Sequence, residues 1–301
     1  MNSDISKQKT QETLELLNEA VRDMFTSERY LQYLNFMSSM HQYSVRNLIL
    51  CFFQRPEVSC LGSFGFWKKN NFHIKKGERG LRIFAPVKCT GYRTITKDNG
   101  EDDTEEYTYV RFKPEYIFDV SQTVEGPASL PKLATIPVFS SAELDAAALR
   151  LIESGDGKYM FDDALNASTA NGYFCPATGE IHIASRLAPA ANPDAGHSAM
   201  LLRVLIHEKA HELLHSEDNG TSRELHELEA ESAAYCVCRR ILLGSEALSA
   251  VTADYSIGYL ASWADNREQP LNALIRSVDR ISAATEKLLQ WVSSVGGLAV
   301  V

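Results

Sequence analysis

The sequence predicts an α+β chain of two domains. N-terminal helices with a small antiparallel sheet come first, followed by a mostly helical domain with a short sheet of its own. Three observations carry this expectation. Apolar residues recur at three- and four-residue spacing toward both ends of the chain. Short apolar and aromatic runs bounded by glycine or acidic turns lie between residues 60 and 120, and again at 172–184. Residues 121–137, with three prolines and little periodicity, separate the two regions. We therefore expect domains at 1–125 and 138–301 joined by a linker at 126–137, in keeping with roughly 150 residues per domain.

The elements follow in order. Residues 8–38 read as helix from Leu14, Leu17, Val21, Phe25, Leu31, Leu34 and Met37. A second helix runs from about Tyr43 to Gln54 and stops before Pro56, because the residue preceding proline resists the helical conformation. In GSFGFWKKNNFHIKKGERGLRIFAPVK, Gly77 and Gly80 mark turns and LRIFAPV reads as a strand. KDNGEDDTEE (97–106) reads as an acidic hairpin loop, and YTYVRFKPEYIFDV as the returning strand. Beyond the linker, SSAELDAAALRLIES is an amphipathic helix with a serine cap and Glu143 in its first turn. NGYFCPATGEIHIA predicts a hairpin, with strands 172–175 and 180–184 around a Pro176–Gly179 turn. SAMLLRVLIHEKAHELLH and SRELHELEAESAAYCVCRRILLG read as helices, the latter ending at Gly244. Residues 257–265 and 271–293 are expected to be helical too.

Composition bounds the function. The 301 residues carry 30 Lys+Arg and 39 Asp+Glu, a net charge of −9. That excludes a uniformly basic coat, but the charge is uneven. Residues 1–120 hold 17 basic and 16 acidic residues, while 121–301 hold 13 and 23. Within 40–97 there are 11 Lys/Arg against only Glu57 and Glu78, so a local polyanion site remains open. The N-terminus MNSDISKQKTQETLELL lacks the apolar stretch of a secretory signal, and no apolar run is long enough to span a membrane. Six cysteines without a CxxC pair are too sparse for a disulfide framework or a zinc ribbon. Reduced thiols in a cytoplasmic protein are the expectation.

His207-Glu208-Lys209-Ala210-His211 is an HExxH motif within an amphipathic helix. Residues i and i+4 share a helical face, so both imidazoles can reach one ion, and Glu208 can take a proton from metal-bound water. A catalytic Zn2+ needs a third ligand and an open position. Leu214 and Glu217 stand where the metzincin extension would place Gly and His, so the third ligand is sought on the next helix. HELEAESAAY offers Glu227, with Glu231 one turn on to orient a ligand imidazole; Glu229 points elsewhere on the helix, and His226 and Glu224 are weaker candidates. His215 extends the 207/211 register, where the helix's terminal carbonyls compete with a metal for it. His182 lies in a strand that could border a cleft and pair with an extended peptide. Tyr173, Tyr255 and Tyr259 are candidate oxyanion stabilisers.

The basic segment interleaves cations and rings: Arg46, Asn47, Trp67, Lys68, Lys69, Phe72, His73, Lys75, Lys76, Arg79 and Arg82. A basic groove with aromatic stacking platforms is how single-stranded nucleic acid is held. The competing reading is a solvated face over a core built on Trp67 and Phe72.

YSVRNLIL, FGFWKKNNFHIKKGERGLRIFAPV and YIFDVSQT in the first half resemble ArdC-type antirestriction proteins, as do YFCPATGEIHIA, HEKAH, ELEAE and YLASW in the second. The resemblance covers nearly the whole chain. It implies a single-stranded-DNA-binding N-terminal domain joined to a zincin-like metallopeptidase domain, in a protein of a mobile element. HExxH and ExxAE are also similar to ImmA/IrrE-like peptidases, which cleave regulatory proteins. By that resemblance His207, His211 and Glu227 are Zn2+ ligands, Glu208 is the catalytic base, and a protein is the substrate. The chain departs from the family where Glu212-Leu213-Leu214-His215 replaces a tryptophan-glycine-histidine run. A non-proteolytic DNA-protecting protein with structural zinc is the alternative.

Overall fold

The computed structural model describes residues 2–24, 27–40, 43–96, 102–124, 138–189, 191, 195–217, 220–242 and 271–299. The expected linker 126–137, the expected helix 257–265, and Tyr255 and Tyr259 lie outside the described residues. Helices and small sheets combine as the α+β reading expects. The chain divides into two compact units, Met1–Ala20 with Arg46–Leu130 and Val21–Val45 with Pro131–Val301.

The first unit is built on a long hairpin. Strands β1 (Leu61–Ser63), β4 (Asp102–Asp119) and β3 (Leu81–Thr96) pair antiparallel in that order, with β3 and β4 in register from Leu81↔Ile117 to Thr96↔Asp102. Leu81, Ile83 and Ile117 bury the base of the ribbon, while its outer half is largely exposed. β3 is therefore an edge strand, and unpaired edges invite wrong partners. Helix α3 (Val45–Gln54) closes the inner part of this edge with two amide side chains. Asn47 donates to Phe84 O and accepts from Phe84 N–H, both at 2.9 Å. Gln54 does the same for Arg82, at 2.9 and 2.8 Å.

A second device holds the basic turn. Helix α4 (Phe64–Lys69), capped by Ser63, buries Trp67, whose indole N–H donates to Phe118 O at 2.9 Å. The two-residue strands β2 (His73–Ile74) and β5 (Thr123–Val124) pair beside it. Between β4 and β5, buried Asp119 accepts from the backbone N–H groups of Ser59, Cys60 and Ser121 at 2.8–3.0 Å. Gln122, also buried, accepts from Asp119 N–H and donates to Arg79 O and Glu78 Oε2. Burial pushes the Asp119 pKa up, but the hydrogen bonds outweigh it and hold the carboxyl below its ordinary range.

Within the stretch read as one helix over 8–38, the described residues form helix α1 (Asn2–Met24), most of it in the first unit, and helix α2 (Ser27–Ser39) in the second. Residues 21–45 cluster with the second unit because the apolar face of α2 packs on helix α7 (Arg223–Leu242), burying Tyr33, Leu34 and Met37. Tyr30 pairs with Ser232 at 3.0 Å, and Tyr235 donates to Asn35 at 2.6 Å. Helix α5 (Ser141–Glu153) begins with the expected capping box, Ser140 with Glu143. The expected hairpin forms as β7 (Gly172–Cys175) and β8 (Glu180–Ala184), turning through Gly179 at φ +72°. A strand not read from the sequence, β6 (Tyr159–Asp162), pairs parallel with β8, giving the order β6-β8-β7. Ile181 and Ile183 are buried on the sheet face toward α6 (Ala195–His215), which also packs against α5, α7 and α8 (Leu271–Ser294).

Because the Asp119 pKa is depressed, its contribution is full above the unfolded value of about 4 and is lost as pH falls through the folded value. Asp119→Asn should cost about 1–3 kcal/mol at pH 7 in urea unfolding followed by tryptophan fluorescence. The gap from wild type should narrow below about pH 4; a variant equal to wild type at pH 7 would refute the stabilising role of the Asp119 hydrogen bonds.

Candidate metal centre

The centre arises where two helical faces meet. On α6, His207 and His211 lie one turn apart, and on α7 so do Glu227 and Glu231. On α7, which packs closely on α6, the small residues Ala230, Ala233 and Ala234 are all buried. His207 Nε2 and His211 Nε2 stand 3.1 Å apart, and each is 3.5 Å from Glu227 Oε2. Among the described residues this is the one group of three with metal-ligating geometry. A tetrahedron with bonds of about 2.1 Å has edges of about 3.4 Å, so two imidazole nitrogens and one carboxylate oxygen at these separations fit a single ion.

Electrostatics reinforce the arrangement. Hydrogen bonds from His207 and then His211 hold the Glu227 carboxyl far below its usual range. Burial works to lower the His207 pKa, but Glu227, Glu231 and Glu208 together raise it to about 10. His207 Nδ1 lies 3.0 Å from Glu231 Oε2, and Arg203 pairs with the same carboxylate. Burial raises the Glu231 pKa, but His207 and Arg203 outweigh it and keep that carboxyl ionised. Burial also raises the Glu208 pKa, with the histidines opposing it. Two carboxyls of one site are thus driven in opposite directions by their surroundings.

Strand β7 runs unusually close to α6 at this point. A Cβ on Gly172 would come within 2.9 Å of Val204 Cγ1 and of His182 O, and 3.2 Å of Glu208 Cγ. The backbone of Phe174 hydrogen-bonds Glu208. Cavities of about 510 and 220 Å3 lie at the centre, and both are bordered by Gly172, His207, Glu208 and Glu227. The larger adds Tyr173, Phe174 and Pro176, and the smaller adds Thr169, Ala170 and Asn171.

Other sequence candidates fall elsewhere. β8 is the central strand, so among the described residues the edge beside the cleft belongs to β7 and not to the strand carrying His182. His182 sits 3.1 Å from Asp162 with Tyr173 stacked on it at 4.6 Å, on the sheet face opposite the one that Gly172 turns toward α6. The Tyr173 ring is thus committed to His182 and not turned to the ligands. His215 neither joins the ligands nor caps the helix's carbonyls; its two nitrogens face His211 and Glu229, each at 3.1 Å. Arg203 and Arg280 were not singled out from the sequence, and Glu229 was read only as pointing elsewhere on its helix. Arg203 could have been found, standing one turn before His207, whereas Arg280 lies far along the chain.

In the first unit, Arg46, Lys68, Lys69, Lys75, Lys76 and Arg79 are exposed, and Lys75 Nζ donates to Ser121 O at 2.7 Å. Trp67 and Phe72 are buried and cannot serve as stacking platforms; Asn47 is buried in its backbone clamp. Arg82 is half-buried and pairs with Glu12 at 3.4 Å, in a groove bordered by Glu15 and Glu19. The rings that do reach solvent on α4 are Phe64, 60% exposed, and Phe66, 44% exposed.

Residues 3–118 match the family model described as the N-terminal domain of anti-restriction factor ArdC. An uncharacterized protein of Bacillus anthracis is 25% identical over 312 aligned residues, covering 94% of this chain and 51% of that protein. The chain thus spans about half the length of this curated relative. Among solved structures, the metal-free antirestriction ArdC protein from the R388 plasmid superposes with a TM-score of 0.51 at 19% identity, over 83% of this chain and 85% of that one. Its Mn(II)-bound form gives 0.50 and 18%, over 84% and 86%. The resemblance to ArdC-type proteins holds, in the N-terminal domain by family and over most of the chain by fold. No described helix is long and apolar enough to cross a membrane.

Gly172→Ala should lower stability by about 1–3 kcal/mol, because the methyl group enters occupied space. Thermal unfolding of the full chain checks this; a melting temperature equal to wild type would show that β7 does not press on α6 as described.

Proposed function

We propose that this ArdC-type chain joins a single-stranded-DNA-binding domain, residues 1–125, through the linker 126–137 to a zinc-dependent metallopeptidase domain, residues 138–301, and acts in antirestriction in the cytoplasm. The observation that carries the reading is the 3.1, 3.5 and 3.5 Å triangle of His207, His211 and Glu227, with buried Glu208 beside it. The Mn(II)-bound form of the R388 protein supports a divalent ion in this fold. Two imidazoles and a carboxylate suit Zn2+.

His207, His211 and Glu227 would hold the ion, and Glu231 orients His207. When bound, the ion supplies Lewis acidity, which brings the pKa of water to about 7. Glu208 accepts a proton on its carboxylate and passes it to the departing amine nitrogen of a peptide. Its raised pKa suits both halves of that exchange. The cavities at the centre leave space for an extended chain beside β7, whose outer edge pairs with no strand among the described residues. That free space favours a working site over a closed structural one.

For the DNA, the exposed cations Arg46, Lys68, Lys69, Lys75, Lys76 and Arg79 are the phosphate contacts of this reading. Phosphate contacts release counterions, so binding must weaken with salt. Trp67 underpins these contacts by fixing α4.

Elemental analysis of the full chain should find one zinc per molecule, lost in His207→Ala, and a metal-free wild type would sink the site. Glu208→Gln should keep the metal but hydrolyse an unfolded protein substrate at least about 100-fold more slowly. Equal antirestriction by wild type and Glu208→Gln would instead support binding without proteolysis. Titration of fluorescent single-stranded oligonucleotides should show affinity falling with salt. Removing Lys68 and Lys69 should reduce the logarithmic slope by about 0.7 per lost contact, and a slope unchanged by both would contradict the assignment.

A further inference from the structure

The two candidate ligand imidazoles are held by different devices. His207 Nδ1 meets a carboxylate directly, Glu231 at 3.0 Å. His211 Nδ1 instead faces another imidazole, His215 Nδ1 at 3.1 Å. Only one nitrogen of such a pair can carry the hydrogen. His211 Nε2 belongs to the ligand triangle and must offer a lone pair there, so the His211 proton sits on Nδ1 and donates to His215. His215 Nδ1 is then the acceptor, and its own proton lies on Nε2, 3.1 Å from Glu229 Oε2.

Each further partner points the same way. Glu229 is 1% exposed and takes an ion pair from Arg280 at 2.9 Å. Arg280 also donates to Leu214 O at 3.1 Å, tying it to the last turn of α6. The other Glu229 oxygen, Oε1, is buried without a hydrogen-bond partner among the described residues, and Oε2 carries both His215 and Arg280. The His226 ring stacks on His215 at 4.1 Å and 19°, and Thr221 fixes His226 at 2.6 Å. His215 is thus held in its plane from the side and in its tautomer from the end.

We propose that His215, held by Glu229, is a positioning residue that fixes the tautomer and orientation of His211 and thereby sets the affinity of the centre for a divalent cation. This rests on the reading of His211 as a metal ligand. Orienting partners of this kind typically change metal affinity 10–100-fold.

The test uses the full chain and two readouts. Competition of Zn2+ against a chromogenic chelator should show a Kd about 10–100-fold higher for His215→Ala. His215→Asn, whose Oδ1 can accept in place of the ring nitrogen, should recover most of that loss. A Kd for His215→Ala within threefold of wild type overturns the proposal, as does His215→Asn binding no better than His215→Ala. The second readout needs no metal: in 15N-resolved NMR of the apoprotein, His211 should carry its proton on Nδ1 in wild type and His215→Asn, and lose that preference in His215→Ala. A wild-type His211 protonated on Nε2 alone overturns the relay. A chain that binds no zinc but shows the Nδ1 tautomer would fault the metal reading and leave the relay standing.

Discussion

Everything in the second unit depends on the packing of α6 against α7, which forces two i,i+4 pairs of opposite character to face each other. Half-burying His207, His211, Glu227 and Glu231 together would be costly for any one of them alone, since a charge withdrawn from water without a partner is expensive. The contacts remove most of that cost by pairing. Glu227 lies against both imidazoles, Glu231 takes His207 and Arg203, and Glu229 takes His215 and Arg280. The glycine at 172 supplies the close approach of β7 to α6, and the apolar Ile181 and Ile183 of β8 hold the sheet on α6. The site is therefore a product of packing.

The parts of this arrangement that follow helical periodicity were legible in the sequence. HExxH and the ELEAE run each encode one face of one helix, so the four side chains that the structure gathers, His207, His211, Glu227 and Glu231, could be named before any fold was known. The 172–184 hairpin was legible from its turn chemistry. What the sequence concealed lies in pairings between distant segments. Tyr159–Asp162 follows a Gly155–Gly157 turn but is too short to show alternation, and becomes a strand by lying beside β8. His215 looks like a helix terminus, and its role depends on Glu229 across the helix pair and on Arg280 of α8. The β3–β4 ribbon runs to Thr96 because its outer half needs only ladder hydrogen bonds, not the buried face that makes a strand visible as alternation.

In the first unit the same distinction separates architecture from surface. Asn47, Trp67, Asp119 and Gln122 stand in the segments that resemble the ArdC type, and each is buried and bonded to backbone. Their chemistry is that of clamps: they close an edge strand, seat α4 and hold the turn that bears Lys75, Lys76 and Arg79. Aromatic residues in a basic segment read equally well as stacking platforms or as core, and for Trp67 and Phe72 burial decides for core. The cations carried on this frame stay at the surface, and Arg82 is the one drawn into an ion pair with an acidic helix.

The central claim is that His207, His211 and Glu227 hold one divalent ion and leave a position open. X-ray absorption at the zinc edge of the reconstituted full chain tests it most directly. The account predicts four light-atom neighbours at about 2.0–2.1 Å, with the scattering signature of two imidazoles. A sulfur shell near 2.3 Å, which would put some of the six cysteines at the metal, or a closed set of four protein ligands, would contradict it.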